Sequence, residues 1–315
     1  MPDLHVALGA LRLNNPVLAA AGTFGYGVEF ARAVRLERLG GLITKTLTRA
    51  PRDGNPAPRL VETASGLLNS VGLQNIGLDA FLREKLPALR RFSVPVIVSV
   101  LGESAEELSA MVGALDAAEG VSAIELNLSC PNIQPTARSP DPPASGHGPL
   151  MVAQDAEATA TFVKTARQAT RKPLIAKLSP DVTDMSPVAR AAERAGADAL
   201  SVANTFTGMS LDPSTRRSRL GTLTGGLSGP AIRPLAVYRV WYTAQTVRLP
   251  IIGVGGVVRA EDAVEFLLAG ASAVAVGTAN FADPRAPLRV AQGLERYMSA
   301  HGLQTLRELQ GAANR

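Results

Sequence analysis

Residues 251–278 read IIGVGGVVRAEDAVEFLLAGASAVAVGT and contain a complete strand–helix–strand unit. The runs 251–254 and 273–276 are short, apolar and followed by glycine, which is typical of strands buried on both faces of a sheet. Between them, residues 260–268 place apolar side chains at helical spacing. A crossover that contains a helix is the connection that joins two parallel strands. The segment therefore predicts a parallel sheet covered by helices.

The same unit recurs along the rest of the chain. Six more short apolar runs precede it, at residues 17–20, 42–46, 96–101, 123–128, 174–178 and 199–203. Helical patterns lie between several of them, at residues 103–117, 155–169, 186–195 and 232–246. Eight strands that alternate with helices favour an α/β fold of the closed (β/α)8 TIM-barrel type over an open doubly wound sheet. We expect a single barrel domain over residues 1–315, with an N-terminal β-hairpin at residues 4–14 that closes the barrel bottom.

Two connections are much longer than the others. Residues 48–92 contain three prolines before the run GLLNSVGLQNIG, and residues 131–151 are dense in Pro, Ser and Gly. Loops of this length are usually functional or disordered. The strand pattern resumes after each, so we interpret both as long loops at the barrel rim and not as domain boundaries.

Composition narrows the functional classes. The chain has 315 residues, is 46% hydrophobic and contains one cysteine, which excludes disordered, collagen-like and disulfide-scaffold proteins. The net charge is +5, but the basic residues are scattered and aromatic residues make up only 4%, so we expect no nucleic-acid surface. With neither an apolar run long enough for a membrane span nor an export signal, the sequence predicts a cytoplasmic protein.

Polar residues and glycines lie at or just after the carboxyl end of nearly every predicted strand. They are Gly22 and Thr23, Lys45 and Thr46, Ser99, the stretch NLSCPN at 127–132, Lys177 and Ser179, Asn204 and Thr205, Gly255 and Gly256, and Gly277 and Thr278. In (β/α)8 enzymes the chemistry takes place at this carboxyl-terminal rim. The concentration of such residues on one rim therefore predicts an enzyme and argues against a non-catalytic binding scaffold.

Two features of this rim indicate a phosphorylated cofactor and an anionic reactant. Glycines after the last two strands, at 255–256 and 277, allow backbone N–H groups to approach a phosphate, although they could also mark tight turns. Lys45 and Lys177 end strands two and five of the predicted barrel. A lysine there can stabilise negative charge on a reduced cofactor ring or a substrate carboxylate, and the alternative is a rim salt bridge.

Cys130 is the only cysteine and lies in the stretch NLSCPN just after a buried strand. A thiol with an ordinary pKa of about 8.5 can serve as a base in an electropositive site, whereas the alternative is an inert packed thiol. The flanking Asn127 and Asn132 can hydrogen-bond a planar ligand, which favours the catalytic interpretation. Nothing in the sequence has the spacing of a metal site.

Eight motifs in a fixed order make the chain resemble the class 1 dihydroorotate dehydrogenases, and subclass 1B most closely. They are NPVLAAAGTFGYG at 15–27, GLITKTLT at 41–48, GLLNSVGLQN at 66–75, ELNLSCPN at 125–132, AKLSPDVTD at 176–184, TGGLSGPAI at 224–232, IIGVGGV at 251–257 and AVAVGTANFADP at 273–284. The resemblance implies an FMN-binding barrel that oxidises dihydroorotate to orotate in pyrimidine biosynthesis. It also implies that Cys130 removes the proton from C5 while a hydride leaves C6 for the flavin N5.

The same resemblance implies two sets of binding residues and no metal. The substrate set is Lys45, Asn69, Ser70, Val71, Gly72, Leu73, Asn127, Asn132, Asn204 and Thr205. The FMN set is Ala21, Gly22, Lys45, Thr46, Ser99, Asn127, Lys177, Ala203, Gly229, Gly255, Gly256, Gly277 and Thr278. Three departures from the family pattern are an alanine at 21 in place of serine, a serine at 99 in place of asparagine, and a longer loop after Cys130 that lacks the usual Gly-Gly.

Subclass 1B also implies partners. Its members pair with a subunit that carries FAD and a 2Fe–2S cluster and delivers electrons to NAD, in a heterotetramer built around a homodimer of the FMN chain. The alternative within the family is a stand-alone homodimer of subclass 1A type that reduces fumarate. A less favoured alternative is a phosphate-binding barrel lyase or synthase, which would share the glycine site but use a lysine Schiff base.

Overall fold

The computed structural model describes residues 2–129 and 152–314. In chain order the strands are β1 (Val6–Leu8), β2 (Leu11–Leu13), β3 (Val17–Ala19), β4 (Gly41–Ile43), β5 (Leu60–Thr63), β6 (Gly66–Asn69), β7 (Val96–Val100), β8 (Ala123–Asn127), β9 (Leu174–Lys177), β10 (Ala199–Val202), β11 (Phe206–Gly208), β12 (Leu211–Asp212), β13 (Arg217–Ser218), β14 (Gly225–Ser228), β15 (Ile251–Val254) and β16 (Ala273–Val276). The α-helices are α1 (Leu78–Ala80), α2 (Leu86–Leu89), α3 (Ala105–Ala117), α4 (Ala156–Ala169), α5 (Ser186–Arg194), α6 (Arg233–Ala244), α7 (Ala260–Leu268), α8 (Ala279–Ala282) and α9 (Ala286–Ala300). A π-helical stretch, Phe81–Lys85, joins α1 to α2.

Eight parallel strands form a closed barrel in the order β3, β4, β7, β8, β9, β10, β15 and β16, and β16 pairs back to β3. These are the eight strands that the sequence predicts, so the (β/α)8 fold is confirmed. The strands are apolar on both faces because one face lines the barrel interior and the other packs against helices. The largest difference is at β4, which ends at Ile43 although a strand was predicted to residue 46; Leu47 then makes an isolated parallel bridge to Val100 of β7.

The outer helices follow from periodicity and capping. In α3, the side chain of Ser104 accepts a hydrogen bond of 3.2 Å from the Glu107 N–H and satisfies a donor that the first turn leaves free. Its buried residues are Leu108, Met111, Val112 and Leu115. That spacing places all of them on the face that packs against the barrel. Among the described residues, no helix is both long enough and apolar enough to cross a bilayer.

The predicted N-terminal hairpin is confirmed as strands β1 and β2, which pair antiparallel. Leu8, Leu11 and Leu13 are buried in one cluster with the interior residues near the amino ends of the barrel strands, such as Ile97 and Ile175. The hairpin therefore plugs the barrel bottom, the face opposite to the one that carries chemistry in this fold.

A second sheet stands at the opposite end of the barrel and was not predicted. Strands β11, β14, β6 and β5 form it, all antiparallel, from the connections at residues 48–92 and 203–230. Its central strands β14 and β6 meet so closely that an added Cβ on Gly225 would lie 2.5 Å from the Asn69 carbonyl oxygen. Glycine is therefore required at that crossing, and the sheet brings Asn69 over the barrel mouth.

Candidate active site

A cavity of about 1020 Å³, including its open mouth, lies at the carboxyl ends of the barrel strands and below the rim sheet. The residues that the sequence predicted and that line this cavity are Ala21, Gly22, Lys45, Thr46, Asn69, Val71, Gly72, Leu73, Asn127, Lys177, Ala203, Asn204, Thr205, Gly229, Gly255, Gly256, Gly277 and Thr278. Segments far apart in sequence thus meet around one space. The cavity is open to solvent on one side and is lined by both polar and apolar groups, which is typical of a ligand-binding cleft.

Two predicted residues lie behind the cavity wall. Ser99 is fully buried, and its hydroxyl shares a hydrogen bond of 3.0 Å with the Thr46 hydroxyl. Ser70 is also buried, and its hydroxyl accepts hydrogen bonds from Asn55 at 2.8 Å and from Thr222 at 2.7 Å. Both serines therefore support residues of the wall and the rim loops, and neither is among the described residues that line the cavity.

Several lining residues were not predicted. They are Leu60, Ser228, Ile232, Val254 and Phe281. Ser228 accepts a hydrogen bond of 2.8 Å from the Thr278 hydroxyl and so ties the rim sheet to the last barrel strand. Its position directly before Gly229 in the TGGLSGP motif was a usable signal. Phe281, which is exposed, lies in the AVAVGTANFADP motif, whereas the exposed Leu60 lies in none of the eight motifs.

Cys130 and Asn132 lie outside the described residues, but the chain that leads to them is held firmly. Asn204 donates hydrogen bonds to the carbonyl oxygen of Ser129 at 2.7 Å and to its hydroxyl at 2.9 Å. Where the described chain resumes, the Ala153 N–H bonds the Leu128 carbonyl oxygen at 2.9 Å. The residue before Cys130 is therefore fixed at the cavity wall by Asn204.

The amide side chains at the cavity are oriented by the protein itself. Asn127 donates to the Thr46 hydroxyl at 3.0 Å, and Asn69 donates to the Gly226 carbonyl oxygen at 3.0 Å. These bonds consume donors and fix which way each amide faces before any ligand binds. Because the amides are already oriented, ligand binding loses less conformational entropy.

The charge of the described lining is entirely positive. Its ionisable residues are Lys45 and Lys177, and no carboxylate lines the cavity among the residues described. Lys177, at the end of β9, is only 7% exposed. For Lys177, the alternative interpretation as a rim salt bridge therefore has no carboxylate acceptor among the described residues that line the cavity. The arrangement suits a ligand that carries or develops negative charge.

The glycines at one end of the cavity form a cradle of bare backbone. Gly229, Gly255 and Gly256 all have positive φ, at 89°, 143° and 74°, where other residues are strained. An added Cβ on Gly256 would lie 2.8 Å from the Gly229 carbonyl oxygen, so the two turns touch. A Cβ on Gly277 would meet only Ala20 and Thr23, at 3.7 and 4.0 Å. The missing side chain at Gly277 thus leaves room in the cavity, as a phosphate on backbone donors needs.

The described residues include no group of three or more His, Cys, Asp or Glu side chains arranged to hold a metal ion. The cavity offers instead amides, hydroxyls, backbone donors and two lysines. This donor set fits a phosphorylated, planar, anionic cofactor such as a flavin mononucleotide.

Comparison with known proteins places these features in one family. A family model described as dihydroorotate dehydrogenase matches residues 3–298. A protein of Geotalea uraniireducens is 49% identical over 311 residues, which cover 99% of this chain and 98% of the relative. A protein of Geobacter sulfurreducens is 48% identical with the same coverage. Both are named dihydroorotate dehydrogenase B (NAD(+)), catalytic subunit.

Proposed function

Since this chain belongs to the dihydroorotate dehydrogenase family, we propose that it oxidises dihydroorotate to orotate in pyrimidine biosynthesis and passes the electrons to NAD through a partner subunit. It is an oxidoreductase of a flavin-dependent family. The observation that carries the proposal is the positively charged cavity at the barrel mouth, which gathers the predicted binding residues. Dihydroorotate is a carboxylate, and such a cavity attracts it.

FMN is the flavin that we propose for this cavity. The glycine cradle of Gly229, Gly255, Gly256 and Gly277 would hold its phosphate, and Lys177 would lie near its ring. When bound, the flavin accepts the hydride that leaves the substrate. The chain supplies binding, orientation and charge, which is the usual division of labour between a protein and a redox cofactor.

The remaining chemistry belongs to side chains of this chain. Cys130 would take the proton from C5, a position next to a carbonyl, which needs a placed base and a nearby cation to stabilise developing charge. Lys45 would provide that cation. Asn69, Asn127 and Thr205, with Asn132, would orient the ring and carboxylate of the substrate. The rim sheet above them limits the access of water to the reacting atoms.

We expect Gly277→Val to weaken FMN binding by about tenfold or more, because its methyl groups enter the space that the phosphate needs. An intruding methyl group costs about 1–3 kcal/mol in a packed site. Gly277 does not have positive φ and its neighbours leave room, so the variant should fold normally. FMN affinity is measured by fluorescence quenching on titration of the apoprotein.

The matched control for Gly277→Val is Gly113→Val on α3. Gly113 also has space beyond its Cα, with no atom within 4 Å of an added Cβ, but it lies in a helix outside the barrel. This control should bind FMN like the unsubstituted protein. Equal affinities of both variants for FMN would contradict the phosphate assignment.

Asn204 has a role that the sequence did not reveal, because its amide anchors the residue before Cys130. We expect Asn204→Ala to lower the rate of flavin reduction by about 10–100-fold, since a small misplacement of a reacting group is costly. Orotate affinity, measured from the flavin absorption change, should fall much less. In contrast, Thr205→Val should mainly weaken the binding of orotate and change the rate of flavin reduction less. If Asn204→Ala changed affinity alone, Asn204 would be a simple substrate contact.

A partner subunit follows from the names of the relatives, which are called catalytic subunits. We propose that the partner carries FAD and a 2Fe–2S cluster and that the assembly is a heterotetramer around a dimer of this chain. Because those names specify NAD(+), they support the NAD-linked assignment and do not favour the fumarate-reducing alternative. That the chain is a single FMN-binding domain over residues 1–315, and that it works in the cytoplasm, stay predictions.

The test of this function uses the purified chain with dihydroorotate and one acceptor at a time. We expect turnover with an artificial dye and little with fumarate or with NAD alone, and NAD reduction should appear when the partner subunit is added. Rapid fumarate turnover by the isolated chain would contradict the NAD-linked assignment.

A further inference from the structure

Glu125 is a carboxylate enclosed within the barrel, in the middle of β8. Its exposure is 0%, and neither of its carboxylate oxygens has a hydrogen-bond partner among the described residues. Burial of a charge without a partner is one of the most costly arrangements in a protein. The mechanism proposed above does not use this residue, so its presence at this position requires another explanation.

The strand period shows which way Glu125 faces. Ala123, two residues before it, belongs to the interior cluster at the barrel bottom, and Asn127, two residues after it, lines the cavity. Because side chains alternate along a strand, Glu125 points into the barrel interior between these two levels. It therefore lies one layer beneath the cavity.

The pairing of the strands places Lys177 close to this carboxylate. Glu125 is in register with Ile175 on β9, and Asn127 is in register with Lys177. Glu125 and Lys177 are thus diagonal neighbours on one interior face, about 7–8 Å apart between backbones, which long side chains span. Among the described residues that face the cavity, no acidic group competes for Lys177.

Another buried polar residue lies on the opposite side of Lys177. Ser201 on β10 is in register with Lys177, is fully buried, and its hydroxyl also has no hydrogen-bond partner among the described residues. Ser201 and Glu125 therefore flank Lys177 on its two neighbouring strands. Buried polar groups clustered in this way commonly share an internal water that makes two to four hydrogen bonds.

We propose that Glu125 is the buried counter-charge of Lys177, which it holds through an internal water shared with Ser201, and that it thereby sets the reduction potential of the flavin. Glu125 is a positioning residue, because it acts on the cofactor through Lys177. This inference rests on the proposed function only in that a flavin occupies the cavity beside Lys177. Glu125 offsets part of the positive charge that Lys177 presents to the ring. Since that positive charge favours the gain of negative charge by the ring on reduction, Glu125 opposes reduction through Lys177.

The first test is the flavin midpoint potential of Glu125→Gln, measured on the FMN-bound protein by equilibration with a reference dye. The variant keeps the shape of the side chain and removes its charge. We expect the reduced-to-oxidised ratio at a fixed potential to rise about tenfold, which is an upward shift of ~30 mV for a two-electron couple. Glu125→Asp should keep most of the original potential. Glu157→Gln, which removes a carboxylate from the exposed face of α4, should leave the potential unchanged.

The second test asks whether Glu125 acts through Lys177. Lys177→Met should move the potential downward, and Glu125→Gln should then shift it much less than in the presence of Lys177, because coupled residues are not additive. An unchanged potential in Glu125→Gln, or the same shift with and without Lys177, would overturn the proposal. If Glu125→Gln does not yield flavin-bound protein, the midpoint potential of Ser201→Ala is measured in its place. The proposal predicts a smaller upward shift of that potential, and an unchanged potential would contradict it.

These measurements are independent of dihydroorotate turnover, since a dye sets the potential. A wild-type protein that binds FMN but does not oxidise dihydroorotate would contradict the proposed function and leave the potentials measurable. Additive effects of the Glu125 and Lys177 substitutions in an enzyme that does oxidise dihydroorotate would contradict only the counter-charge.

Discussion

Replacement of Cys130 by alanine is expected to lower dihydroorotate turnover by about 10²–10⁴-fold, the usual contribution of a placed general base, while the purified protein keeps its bound flavin. The reason is that the thiolate would remove the C5 proton, and the one other residue with an ionisable side chain in the predicted substrate set is Lys45. The lysines of the described lining are needed as cations. The measurement is the rate of flavin bleaching after rapid anaerobic mixing with dihydroorotate.

Cys130→Ser is the matched variant, because it keeps the size and the hydrogen-bonding capacity of the side chain with a weaker acid. Its rate should lie between those of the native protein and Cys130→Ala, and should rise more at high pH. If Cys130→Ala were purified without flavin, the cysteine would have a structural role. If it bleached at the native rate, another group would be the base.

Replacement of Lys45 by methionine has the second large effect, a loss of about 10²–10³-fold in the rate of flavin reduction, as for the removal of one preorganised charge-stabilising group. Lys45 follows β4 and lines the cavity, and its backbone N–H donates a hydrogen bond of 2.7 Å to the Gly25 carbonyl oxygen. The backbone is therefore anchored independently of the side chain, so Met at this position should keep the fold.

Lys164→Met is the matched control for Lys45→Met, because Lys164 is exposed on α4 and carries the same charge far from the barrel mouth. In this control variant, dihydroorotate should reduce the bound flavin at the native rate. Lys45→Arg should not restore the native rate, since a guanidinium differs from an ammonium in shape and hydration. Native rates in Lys45→Met, with flavin bound, would show that charge stabilisation comes from elsewhere.

The barrel could be predicted because its signals are local. Each strand is a short apolar run that ends at glycine or a polar residue. The outer helices have their own apolar period, and α3 and α4 also begin at capping side chains, Ser104 and Asp155. Strand β4 ends earlier than predicted because the Lys45 N–H bonds the Gly25 carbonyl oxygen, a partner twenty residues away, and not a neighbouring barrel strand. The local sequence pattern of a strand cannot show a contact with so distant a residue.

The rim sheet could not be predicted for the same reason. Its central pair joins Asn69 to Gly226, which are 157 residues apart, and the strands are short and rich in glycine. The sequence does, however, give most of the cavity lining, because barrel topology sends every strand end to one rim.

Three residues show what a list of strand ends cannot provide. Ser99 lies near the end of β7 but its hydroxyl bonds that of Thr46. Asn204 lines the cavity but holds Ser129, and Glu125 lies in the middle of β8 beneath the cavity. Each role depends on a partner from a neighbouring strand or loop. The motif resemblance identified the chemistry of the site, whereas these supporting contacts required the structure.

The most direct measurement is an anaerobic titration of the purified, FMN-reconstituted chain with dihydroorotate, followed by visible absorption and by orotate analysis. The account predicts that the flavin bleaches at one equivalent of dihydroorotate and that one orotate forms for each flavin reduced. A chain that binds no FMN, or one whose bound flavin stays oxidised with excess dihydroorotate, would contradict it.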